Sequence, residues 1–199
     1  MPRHADPGLD KRIVDAALRL WHARGDKGLT LRGVAREART TTTTVYKRFR
    51  NKEELRLAIA DRVRQRIAAV TMTAPTIEEV YRRYLRFAQS HPREYTLLFG
   101  PAWVHVVGAG RPRPVRAWLM NQLAKRFGGV AEDYLLFFNA IFLLMHGAAS
   151  LICVAPRSAD REAEENSVAM CDLLLKNPQI FRNNRNGKPQ RARKKTKKA

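Results

Sequence analysis

Acid is what this chain has least of for its size. Its 199 residues hold 18 Asp and Glu against 38 Lys and Arg, a formal net charge of +20. Paired carboxylates for general acid-base chemistry are therefore hard to assemble, and several of those present crowd into the polar stretch 160–165. Cysteine is scarce too. Cys153 and Cys171 stand singly in apolar stretches with no framework spacing, which points to reduced core thiols rather than a disulfide-stapled fold. The five histidines, at positions 4, 22, 91, 105 and 146, show no metal-ligand spacing, and no phosphate loop, HExxH pair or G-x-S-x-G elbow occurs. These absences argue against an enzyme, and neither a metal nor a cofactor is expected. No convincing strand pattern appears, so the expected fold class is all-α. The amino terminus is polar and broken by Pro2 and Pro7, unlike a secretory leader, and a cytoplasmic location is expected.

What is present is unevenly placed. Residues 1–70 carry 17 Lys and Arg against 8 Asp and Glu, residues 71–181 carry 12 against 10, and residues 182–199 carry 9 against none. Basic ends around a nearly neutral middle suit a polyanionic partner. The middle is apolar enough for a core, the whole chain being 45% hydrophobic. Residues 1–8 and the basic tail 182–199 offer almost nothing to bury and are expected to be disordered.

The stretch 29–55 holds three short helix signals in tandem. Thr30 can cap the first, in which Leu31, Val34, Ala35 and Ala38 form one apolar stripe. A break at Arg39 and Thr40 follows, and Thr41 can cap a second helix through Phe49. Asn51 opens a third, with Glu54 at capping-box distance. Two short helices joined by so tight a turn form a helix-turn-helix, whose second helix enters the major groove of DNA. Upstream, a helix at 10–24 carries Ile13, Ala16, Ala17, Leu20 and Trp21 on one face, with Gly25 as its cap. Downstream, Leu55, Ile59, Val63 and Ile67 repeat every four residues along a helix at 51–70.

Residues 45–55, VYKRFRNKEEL, resemble the signature of the tetracycline-repressor (TetR) family: an apolar residue, Tyr, two variable positions, Phe, then Lys-Glu-Glu-Leu. Ile13, Ala17, Trp21, Gly25, Thr30, Val34, Ala35 and Ala38 stand at the family's spacing upstream. The resemblance covers roughly residues 9–67. It implies an N-terminal three-helix DNA-binding domain over 9–67, with the helix-turn-helix at about 30–49. A helical ligand-binding and dimerisation domain over 68–181 follows from the same resemblance. By that resemblance Tyr46 and Lys52 contact phosphates, while Thr41, Thr42, Thr43, Thr44 and Lys47 lie on or near the recognition helix. Thr30 and Arg32, at the opening of the motif's first helix, complete the DNA-facing set. The chain departs from the family at the turn, where Arg39, Thr40 and Thr43 replace the usual glycine, apolar residue and second glycine. Five consecutive threonines are poor helix formers, so the recognition helix is expected to order partly on DNA.

Further on, TIEE at 76–79 reads as a capping box for a fifth helix with Ile77, Val80, Tyr81, Tyr84, Leu85 and Ala88 inward. Pro92 opens a sixth, and glycines and prolines punctuate 100–114. A seventh runs from 115 to 127, an eighth covers 131–155, and a ninth, capped by Ser158, ends before Pro178. Nine helices are expected in all. Residues 134–155 contain no Asp, Glu, Lys or Arg, long enough to cross a membrane. Asn139, His146 and Ser150 within it argue instead for burial on one side and a subunit interface on the other. The family's last two long helices form its dimer interface, which here points to Leu151 and Leu174. FLLMHGAASL at 142–151 and HPREYTLLF at 91–99 also resemble one branch of the family. Candidate walls of a pocket for a small apolar or aromatic ligand are Tyr84, Tyr95, Phe99, Trp103, Trp118, Phe138 and Phe142, with His146 as a polar anchor.

The resemblance implies a DNA-binding transcriptional regulator: a homodimeric repressor on a palindromic double-stranded operator, released by a small apolar effector. Two other classes are compatible with the sequence. One is a sequence-tolerant architectural DNA-binding protein using the basic ends. The other is a membrane-associated protein using residues 134–155.

Overall fold

The computed structural model describes residues 8–99, 113–154 and 157–182. The expected disorder of residues 1–7 and of the tail beyond Arg182, the punctuated stretch around Trp103, and the side chain of Ser158 lie outside what is described. Within those residues there are ten α-helices, one short 3-10 turn and no strand. The helices are α1 (Leu9–Gly28), α2 (Leu31–Glu37), α3 (Thr42–Tyr46), α4 (Lys52–Met72), α5 (Ile77–Ser90), α6 (Pro92–Phe99), α7 (Pro114–Phe127), α8 (Leu135–Val154), α9 (Arg157–Lys176) and α10 (Gln179–Arg182). The 3-10 turn, Ala131–Tyr134, leads into α8. The one-turn α10 after Pro178 is too short to leave a periodic signal, which is why nine helices are expected from sequence and ten are found.

The amino-terminal bundle follows from the apolar spacing. Ile13, Ala16, Ala17 and Leu18 of α1, Val34 and Ala35 of α2, Val45 of α3 and Leu55, Ile59 and Val63 of α4 are buried together. Trp21 packs at the edge of this core and donates its indole N–H to the Arg93 carbonyl at 3.3 Å. Gly25 breaks α1 as the sequence suggests, with φ 60° and ψ −150°, a conformation closed to residues with a Cβ. The chain then regains a helical turn to Gly28 instead of leaving the helix there.

In the second half, α5 lies between α4 on one side and α8 and α9 on the other, while α6 touches α1, α4, α5 and α8. Thr76 caps α5 through the Glu79 amide at 3.2 Å, but the Glu79 carboxylate turns to Arg83 and Arg86 rather than completing a capping box. Tyr81, Tyr84 and Leu85 of α5 and Phe137, Ile141 and Ala149 of α8 fill the core. The stretch Ala131–Val154 is long and apolar enough to cross a membrane by length and composition. It packs one side against α5 and α9 and leaves Leu135, Leu136, Leu143, Leu151 and Val154 exposed on the other.

Candidate nucleic-acid interface and aromatic cluster

The helix-turn-helix is assembled by side-chain caps. Thr30 Oγ1 accepts the Gly33 amide at 3.0 Å, and Thr41 Oγ1 accepts the Thr44 amide at 3.1 Å. Between them, α2 closes with paired backbone bonds: the Arg39 amide to the Arg36 carbonyl at 3.1 Å, and the Thr40 amide to the Ala35 carbonyl at 2.9 Å. This is a Schellman closure, whose hinge residue must adopt the left-handed conformation that glycine prefers. Arg39 occupies it, with φ 53°. The missing glycine thus leaves the turn geometry in place and puts an exposed cation on it.

The recognition helix is shorter than its sequence suggests. It spans Thr42–Tyr46 rather than reaching Phe49, and the chain continues in turns through the Arg48 and Phe49 amides, both bonded to the Val45 carbonyl. Branched threonines propagate a helix poorly, and the cap at Thr41 supports only its first turn. Thr41 and Thr43 are exposed, Thr42 and Thr44 half-buried, and the Thr41 and Thr44 hydroxyls bond each other at 2.8 Å. Tyr46 is 53% exposed, Lys47 and Arg32 are exposed, and Phe49 packs at the core edge.

Lys52 lies at the first turn of α4, where the Asn51 side chain accepts the Glu54 amide at 2.9 Å. The Glu54 carboxylate accepts the Arg50 amide, not that of Asn51, so the expected capping box is only half made. The Lys52 ammonium reaches back to α1 and donates to Asp26 Oδ2 at 2.8 Å and to the Asp26 carbonyl at 2.7 Å. Arg56 binds the other Asp26 oxygen and also Glu53. Hydrogen bonds from Lys52 and Arg56 hold the Asp26 carboxyl below its ordinary range. Nothing in the sequence pattern marks Asp26, since its partners lie a full helix-turn-helix away.

The second assembly is aromatic. Tyr95 stands edge-on to Tyr84, with centroids 5.8 Å apart, and 4.7 Å from Phe99. Phe99 lies 4.4 Å from the His146 ring, which stacks on Phe142 at 5.8 Å, and Phe142 stacks on Phe138 at 5.9 Å. The Tyr95 hydroxyl bonds His146 Nδ1, and burial pushes its pKa up to about 12. Burial also lowers the His146 pKa, favouring the neutral ring that can accept from a phenol. Helices α5, α6 and α8 therefore bring together Tyr84, Tyr95, Phe99, Phe138, Phe142 and His146. Trp118 is not brought to this cluster: Leu119 and Leu123 take the inward positions of α7, and Trp118 borders a surface groove with Ile77 and Gln122. Trp103 lies outside the described residues. Among the described residues, no group of three or more His, Cys, Asp or Glu could hold a metal ion.

The exposed apolar side of α8 continues onto α9 through Met170 and Leu173. Leu151 belongs to this surface at 56% exposure, whereas Leu174 is half-buried against its own chain. Three consecutive leucines at 173–175 leave the outermost one undetermined from sequence.

Residues 13–59 match the profile of the family described as bacterial regulatory proteins, tetR family. Among solved structures, the chain is similar to SCO7222, a TetR transcriptional regulator from Streptomyces coelicolor, at 20% identity over 87% of this chain and 98% of that one, with a TM-score of 0.65. It is similar to a TetR variant from Acinetobacter baumannii solved with minocycline, at 16% identity over 89% and 98% of the two chains and a TM-score of 0.63. The multidrug binding protein EbrR complexed with ethidium is similar at 22% identity over 85% and 99%, with a TM-score of 0.59. No curated protein matches the chain. At these identities the solved structures speak for the fold, and the profile match speaks for the helix-turn-helix. With both in agreement, residues 13–59 match the DNA-binding region of tetR-family regulatory proteins, on a chain that has the fold of TetR regulators.

Proposed function

We propose that this regulator is a repressor that binds a palindromic operator as a two-fold homodimer in the cytoplasm and leaves it when a small apolar or aromatic effector binds. The observation that carries the reading is the capped recognition helix Thr42–Tyr46, with exposed Thr43, Tyr46 and Lys47 beside it. Residues 9–67 form the reading head and 68–181 the regulatory and dimerising body, with the basic tail 182–199 outside both. Thr41, Thr42, Thr43 and Thr44 offer methyls and hydroxyls to base edges, and Thr30, Arg32, Tyr46, Lys47 and Lys52 face the backbone. The apolar side shared by α8 and α9, including Leu143, Leu151, Met170 and Leu173, supports a second copy as its cover.

The effector site centres on Tyr95, Phe99, Phe142 and His146. Solved relatives carry minocycline and ethidium, both aromatic-ringed molecules, which supports an occupant of that kind. The rings of this cluster pack on one another, so an occupant would part them and shift α6 against α8. Such a ligand moves the equilibrium only by its difference in affinity for the two arrangements.

The test is selection of duplexes from a random library by the purified full chain, followed by affinity measurement. A palindromic consensus bound about 10³-fold or more above random duplex is expected. A ratio near one would replace the repressor reading with an architectural, sequence-tolerant DNA-binding protein.

A further inference from the structure

Glu94 is the one carboxylate of the described residues with no exposure at all. It sits in the first turn of α6, where the helix dipole favours an anion, yet its side chain points out of the regulatory body into the head. Oε1 meets His22 Nε2 of α1 at 2.5 Å and also binds the Arg66 guanidinium of α4. Oε2 is buried without a hydrogen-bond partner. Around it, Arg93 binds the His22 carbonyl, Trp21 donates to the Arg93 carbonyl, and Arg66 lies 3.4 Å from His91 Nε2 and over the Phe87 ring. An anion taken wholly out of water cannot part from its cation and donor without exposing or orphaning its charge. The join is therefore stiff in a way an apolar contact of the same area is not.

The next residue, Tyr95, turns the other way and bonds His146 in the aromatic cluster. One turn of α6 thus grips the head with one side chain and the cluster with its neighbour. Past the grip, α1 reaches the kink at Gly25, and Asp26 holds Lys52 and Arg56 of α4. We infer that Glu94 is the positioning residue that fixes the reading head to α6, so that displacement of Tyr95 is delivered to α1 through the buried carboxylate. This deepens the proposed function by assigning its regulation to one side chain.

Spatial order alone does not demonstrate coupling, so the test is a double-variant cycle. Backbone hydrogen exchange is measured on the full-length protein without DNA or ligand, for native chain, Tyr95→Phe, Glu94→Gln and the double variant. Tyr95→Phe keeps the ring and removes the hydroxyl, which bonds the His146 ring and carbonyl and accepts from Tyr84. It is expected to speed exchange of the α1 amides around His22 by threefold or more in the native background. In the Glu94→Gln background the same change is expected to leave those amides unmoved. Equal fold-changes in both backgrounds, or none in either, would overturn the inference. Should Glu94→Gln fail to fold, His22→Gln breaks the same join from the head side and the cycle is read with it. The exchange measurement needs no DNA, so a failure of the repressor reading in duplex selection leaves this result standing, and the reverse holds too.

Discussion

Glu94 and Tyr95 are consecutive on α6 and bond in opposite directions, the carboxylate to His22 and Arg66 of the head and the phenol to His146 of the body. A helix turn bonded on both sides has little freedom to move on one side alone. The head and the aromatic cluster are thereby joined through one turn of α6, although Tyr95 and His146 stand 51 positions apart in the sequence.

Tyr46→Ala and Lys52→Ala are each expected to weaken operator binding while the protein stays folded, since Tyr46 is exposed and the half-buried Lys52 gives up only its surface pairing with Asp26. Lys52→Ala should lower affinity for operator and random duplex by the same factor, because a phosphate contact carries no base information. It should also flatten the log-log salt dependence by no more than about 0.9 per head. Titrations at several salt concentrations check this, and unchanged affinity in both variants would reject the docking.

Arg39→Gly is expected to stabilise the free protein. The left-handed conformation costs a residue with a Cβ roughly 1–2 kcal/mol, and glycine returns part of that in unfolded-state freedom, so a net gain of about 1 kcal/mol is anticipated. For a chain this long that raises the melting temperature by about 2–4 °C. A lower melting temperature would show that the Arg39 side chain contributes contacts worth more than the strain.

The exposed side of α8 and α9 gives a prediction about assembly. Leu151→Glu and Leu173→Glu are expected to yield monomers or aggregates in sedimentation, because each places a charge on the apolar surface proposed to meet a second copy. Gly147→Leu probes the same surface more gently. Beyond its own helix backbone and chain neighbours, no atom of the described residues lies within 4 Å of where its Cβ would stand, so the protomer should fold as before while the dimer loosens. Stable dimers in all three variants would move the interface elsewhere.

His146 supplies a pH dependence. Its pKa is lowered by burial in the folded chain, so the unfolded chain binds the proton more readily. Stability from this group is present above the ordinary histidine value near 6.5 and is lost as the pH falls through the lower folded value. Protonation also removes the Nδ1 acceptor of the Tyr95 hydroxyl, leaving it the His146 carbonyl at 3.2 Å. Melting temperatures measured between pH 7.5 and 5 should fall more steeply for the native protein than for His146→Gln. Parallel curves would assign the acid sensitivity to other groups.

Much of this architecture is legible in the sequence because it rests on short-range rules. Thr30, Thr41 and Asn51 cap where hydroxyl or amide spacing says they should, and Leu55, Ile59, Val63 and Ile67 are buried as their four-residue repeat requires. What could not be read is long-range or degenerate. Glu94 in Pro-Arg-Glu looks like any acid at a helix start, and its partners lie 72 and 28 residues away. Lys52 reads as a free cation until Asp26 is found beside it. The threonine run tells that the recognition helix is weak, but where it stops depends on the turn after Tyr46.

The Asp26–Lys52 contact changes what the net charge of +20 means for binding. Arg48 is likewise engaged by Asp10, and Arg56 by Asp26 and Glu53. The head carries its own internal counterions, and a phosphate arriving at Lys52 competes with a carboxylate already in place. Added salt then acts twice, screening the phosphates from the head while also loosening the internal pairs that compete with them. The two effects oppose, so affinity should fall with salt less steeply than the count of basic residues implies, and the protein should hold its operator over a wider range of ionic strength than its composition suggests.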